Sequence, residues 1–92
     1  IPADAQGNLI KGSVTEKTQA IIQNSEALLL EAGSGLNRVI KKQQVYMTDA
    51  SIMPEFTKVY DPAFQHRPAR SIVEVSKLPA GMDIQVDFFA VI

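Results

Sequence analysis

The chain has 92 residues, 46% of them hydrophobic, and its ten acidic residues against nine basic ones leave a formal charge of −1; one domain over 1–92 is the limit at this length, and burial against identical subunits is a common supplement to so small a core. A sequence pI of about 5.7 without a basic stripe argues against nucleic acid or an anionic membrane as partner. The lack of Cys rules out a disulfide framework or a thiol nucleophile, and the single His makes a metal centre improbable.

Asp4-Ala5-Gln6-Gly7-Asn8 reads as a turn ahead of Leu9-Ile10. Ser13 followed by Glu16 is a capping box, so a helix is predicted to start near Val14. Val14, Thr18, Ile21, Ser25, Leu28 and Ala32, widened by Ile22 and Leu29, recur at helical spacing; Gly33-Ser34-Gly35 then ends the helix near Ala32. Val39 to Thr48 is read as a strand despite the polar run Lys41-Lys42-Gln43-Gln44. Thr48-Asp49-Ala50-Ser51 caps a short second helix carrying Ile52, Met53, Phe56, Val59 and Tyr60, and Asp61-Pro62 terminates it. Ala69 to Ser76 and Asp83 to Ile92 alternate as strands joined through Leu78-Pro79-Ala80-Gly81, which predicts a hairpin or an adjacent pair.

In those last strands Val73 and Val75 are expected on the core face, as are Ile84, Val86, Phe88, Ala90 and Ile92. The opposite faces would then carry Arg70, Ile72 and Glu74 together with Gln85, Asp87 and Phe89, a set too polar for an interior that some further surface should cover. Leu28 to Leu30, Met47, Met53, Phe56 and Val59 are expected in the core. The order helix, strand, helix, strand, strand gives an α+β layer pair. No apolar run reaches the length of a membrane span, and Ile1-Pro2-Ala3-Asp4 has no targeting character, so a soluble intracellular protein is expected.

The segment His66-Arg67-Pro68-Ala69-Arg70-Ser71-Ile72-Val73-Glu74-Val75, with Leu78-Pro79-Ala80-Gly81 and Asp83-Ile84-Gln85-Val86-Asp87 behind it, resembles the signature of the Rid (reactive intermediate deaminase) family, the YjgF-type or endoribonuclease L-PSP-like proteins. The likeness extends through Gly7-Asn8-Leu9-Ile10, Ala32 to Val39 and Val45-Tyr46-Met47-Thr48-Asp49, and so covers nearly the whole chain. The resemblance implies a chorismate-mutase-like fold, a mixed sheet with two helices on one face, closed into a trimeric barrel with ligand sites between subunits. It also implies that a first hairpin, bearing a pocket Tyr and a Ser-Gly-Gln turn, would precede this sequence. A cytoplasmic or mitochondrial-matrix location follows from the same source.

The activity implied is hydrolysis of reactive enamine and imine intermediates, as a 2-iminobutanoate/2-iminopropanoate deaminase, to 2-keto acids and ammonia, without a cofactor. Arg70 takes the place of the family's carboxylate-holding Arg, and a guanidinium fork suits that task. Gln85 stands where many active members have Glu; an amide has no useful basicity and can only orient a water. Thr57 occupies the place of a frequent Asn and Ile72 that of a frequent Cys, which makes them substrate-binding positions with less hydrogen-bonding capacity. The plainer reading of Arg70 is a strand arginine paired with Glu74 or Asp87, and of His66 a surface histidine. Two functions therefore compete: an imine deaminase weakened at Gln85, and a trimeric small-carboxylate-binding or regulatory protein of the same fold that does not turn its ligand over.

Overall fold

The computed structural model describes residues 1–39 and 43–92. Residues 40–42 of the predicted strand lie outside the described residues. Helix α1 runs Val14–Glu31, strand β1 Gln43–Met47, helix α2 Met53–Tyr60, strand β2 Arg70–Glu74 and strand β3 Ile84–Asp87, with short 3-10 turns at Leu36–Arg38, Ala50–Ile52, Asp61–Ala63 and Pro79–Gly81.

The ends of α1 follow from local chemistry. The Ser13 hydroxyl accepts from the Glu16 amide and the Glu16 carboxylate accepts from the Ser13 amide, so two of the donors a helix start leaves open are satisfied reciprocally. At the other end Gly33 takes φ +81°, while its amide and that of Ser34 reach back to the carbonyls of Leu30 and Leu29, the paired bonds of a Schellman cap. α2 has Pro54 in its first turn, where no helical N–H is missed. Its last turn runs on into the 3-10 turn at Asp61–Ala63.

The sheet order is β2-β1-β3, with β1 parallel to β2 and antiparallel to β3. The expected adjacency of the last two strands is thus not realised: β1 lies between them. The link from β2 to β3 crosses the end of β1, where the Val75 amide donates to the Met47 carbonyl and the Thr48 amide to the Asp83 carbonyl. β2 is shorter than the apolar alternation of Ala69 to Ser76 suggested, and beyond Asp87 the Val39–Ala90 bridge continues the pairing among the described residues.

The register reverses one predicted face. Gln43, Val45 and Met47 point into the core, and their partners across the parallel pair are Arg70, Ile72 and Glu74. Those three residues therefore lie on the helix side with Ile84 and Val86, while Val73 lies on the open face beside Tyr46 and Gln85 and is 42% exposed. Polar residues are tolerated on the inner side because they sit at the strand's ends and find partners: Arg70 pairs with Asp61, and the Glu74 carboxylate accepts from the Ala50 amide at 2.7 Å.

Both helices cover this one face. Ile21, Leu29, Val39, Val45, Met47, Phe56, Tyr60, Phe64 and Ile84 form the buried cluster. α1 and α2 are joined where the backbone and hydroxyl of Thr15 both donate to Glu55, and Lys17 pairs with Asp83 at 2.7 Å ahead of β3. Leu28, Leu30 and Met53, expected in the core, are 66%, 62% and 43% exposed, because three neighbouring leucines cannot all face one sheet from a helix and only Leu29 does.

Candidate functional site

The connection from α2 to β2 builds the site. Phe56, Tyr60 and Phe64 follow one another at four-residue steps, with ring centroids 4.8 Å apart at each contact, the first pair stacked and the second tilted by 30°. Phe56 and Tyr60 are fully buried. This column fixes the Tyr60 ring beside a cavity of about 220 Å³ lined chiefly by Gln43, Tyr60, Asp61, Phe64, Arg67 and Arg70. Arg67 brings its side chain there from a left-handed backbone, φ +54°, a conformation that costs a non-glycine residue free energy and that functional positions often retain.

Arg70 begins β2, pairs in register with Gln43, and donates through Nη1 to Oδ1 of Asp61. The partner is thus neither Glu74 nor Asp87. Asp61 belongs to the turn that ends α2, so the ion pair pins the arginine to the cavity wall. Among the described residues the remaining guanidinium donors of Arg70 have no hydrogen-bond partner, and Arg67 has no ion-pair partner.

Polar and apolar groups share the lining of the cavity. Burial pushes the Tyr60 phenol well above its ordinary value; the nearby Arg70 charge and the Gln43 amide pull weakly the other way, and Asp61 adds to the rise. Tyr60 is accordingly a neutral hydrogen-bond donor at any physiological pH. Gln43 stands beside it without completing a hydrogen bond, so the Tyr60 hydroxyl and Gln43 Nε2 are both buried without a partner among the described residues.

The other residues singled out in the sequence lie elsewhere. Gln85 pairs across β1 with Tyr46, on the face opposite Arg70. Thr57 is half-buried on α2, its hydroxyl donating to the Pro54 carbonyl, and Ile72 packs against the core from the middle of β2. Within one chain none of these three lines the Arg70 cavity. His66 places Nε2 2.7 Å from the Val39 carbonyl oxygen, which makes that nitrogen a donor and ties the β2 approach to the start of the β1 segment. Among the described residues no group of His, Cys, Asp and Glu is gathered to hold a metal ion, and no helix is long and apolar enough to cross a membrane.

The sequence reading missed Gln43, Tyr60, Asp61 and Arg67. One signal was present: Gln43 interrupts a strand whose following inward positions, Val45 and Met47, are apolar.

The family model described as Endoribonuclease L-PSP matches residues 1–92. The chain belongs to this family. Among L-PSP family relatives, Protein HMF1 of Saccharomyces cerevisiae is 36% identical over 98% of this chain and 70% of its own length. A RutC family protein of Pyrococcus abyssi is 39% identical, with 98% and 72% covered. The crystal structure of yeast Mmf1 superposes with a TM-score of 0.94 at 35% identity, over 99% of this chain and 73% of that one. RidA of a Psychrobacter species gives 0.85 at 27% identity, over 95% and 70%. Escherichia coli TdcF, solved with bound serine, gives 0.88 at 27% identity, over 99% and 74%. The L-PSP fold of two helices on a mixed sheet is shared throughout.

Proposed function

We propose that this L-PSP family member binds small 2-imino and 2-oxo carboxylates through Arg70 and hydrolyses reactive imines such as 2-iminobutanoate and 2-iminopropanoate, water adding to the C=N carbon and ammonia leaving to give the 2-oxo acid. The observation that carries the proposal is the Arg70 guanidinium on the wall of a small cavity, held at one nitrogen by Asp61 and otherwise without a partner among the described residues. A fork of this kind matches a carboxylate bidentately and orients a small substrate, which supplies a large part of the rate for a reactive imine. Family membership supports the reading, as do a relative named for the Rid proteins and another solved with an amino acid bound.

Gln85 lies on the other face of the sheet, so a water held by its amide would reach an Arg70-bound ligand only from a neighbouring subunit. That arrangement is consistent with a homotrimer whose sites lie between subunits. The second reading, a carboxylate-binding protein without turnover, is favoured by the chemistry of Gln85, because an amide cannot accept a proton from water near neutrality.

The two readings separate when a dehydratase generates 2-aminoacrylate in the presence of the purified protein and imine decay is followed. The deaminase reading predicts decay faster than in buffer, and faster still with Gln85→Glu. Decay at the buffer rate with the wild type leaves the binding reading in its place.

A further inference from the structure

We propose that Tyr60 and Gln43 are ligand-binding residues of the Arg70 cavity, donating to the carboxylate or neighbouring carbonyl oxygen of the bound acid. This rests on the carboxylate reading of Arg70 given above.

Tyr60 is 1% exposed and Gln43 2% exposed, and each ends in a buried polar atom without a partner among the described residues. Leaving such a group unpaired forfeits its hydration without return, and native structures keep very few. Two adjacent ones are therefore a feature to be explained, and both line the same cavity as Arg70.

The chemistry of the unpaired groups is one-sided. A phenol that stays protonated, a primary amide nitrogen and the open edge of a guanidinium all donate; the complement is an oxygen acceptor rich in lone pairs, which a carboxylate or 2-oxo acid presents. The aromatic column of Phe56, Tyr60 and Phe64 holds the phenol in place, so the hydroxyl cannot swing away to another partner. Gln43 is fixed by β1, its amide nitrogen on the main chain donating to the Ala69 carbonyl at 2.7 Å one residue before Arg70. The cavity, at about 220 Å³, has room for a molecule of several heavy atoms.

The test measures two quantities on the full chain carrying Tyr60→Phe, Gln43→Met or Arg70→Ala: the Kd for 2-oxobutanoate by calorimetric titration, and the Tm of the ligand-free protein. The proposal expects Tyr60→Phe and Gln43→Met each to weaken binding roughly tenfold, the loss of one hydrogen bond to a charged acceptor. It expects the ligand-free Tm to stay level or rise, because each substitution removes an unpaired polar group. Wild-type affinity in both variants overturns the proposal, as does a loss of affinity that accompanies a lowered Tm. If Arg70→Ala alone abolishes binding, the Arg70 reading stands without this extension. If the wild type does not bind 2-oxobutanoate, the carboxylate reading fails and the extension with it.

Discussion

At the scale of single residues, Arg70 was legible because a short motif surrounds it, whereas its partner was not. Asp61 is nine positions earlier and meets Arg70 only because α2 and β2 converge at the same end of the sheet; Glu74 and Asp87 were the nearer candidates on strand geometry alone. Tyr60 gives a pH test. Burial raises its folded-state pKa above the ordinary phenol value of 10.0, so the unfolded chain releases a proton that the native protein keeps. The resulting contribution to stability is complete below pH 10 and is lost as pH rises through the alkaline range. Denaturant midpoints followed upward from pH 9 should fall more steeply for the wild type than for Tyr60→Phe; parallel slopes would contradict the burial of that phenol.

Elements were legible where their ends carry local chemistry and illegible where a distant strand decides. The capping box at Ser13 and Glu16 and the left-handed Gly33 set α1 at the expected residues, since both devices act within a few positions of the chain. Ser13→Ala should cost about 1 kcal/mol of unfolding free energy. Gly33→Ala should cost a similar amount through the backbone alone, because a Cβ there would meet only Ile92 Cγ2 at an ordinary 3.4 Å. Both are read from urea midpoints, and a change below about 0.3 kcal/mol in either would show that the cap is not holding the helix end. Strand order and facing had no such local determinant. Alternation in Arg70–Glu74 separates two faces but does not say which meets the helices; Ile72 won the inward position because the residues flanking it on that face, Arg70 and Glu74, find partners in the α2 region.

For the whole molecule, the α+β fold and its family were open to sequence reading because the recognisable segments extend along nearly the entire chain. The sequence reading expects a further surface over one side of the sheet, and on the homotrimer reading that surface is supplied by other copies. Val73 at 42% and Phe89 at 68% exposure leave apolar surface on the β2 and β3 side of the molecule. On the homotrimer reading, equilibrium sedimentation should give three times the 10.1 kDa chain mass, and Val73→Asp should shift the protein toward monomer with its helical signal intact; a monomeric wild type would contradict that assembly. The most direct test of the account as a whole is the Arg70→Ala variant in the 2-aminoacrylate decay assay. The account predicts that the wild type accelerates imine decay and that the variant loses roughly ten- to a hundredfold of that acceleration, the equivalent of a charge-assisted carboxylate contact. A variant as fast as the wild type would contradict the central claim that Arg70 holds the substrate.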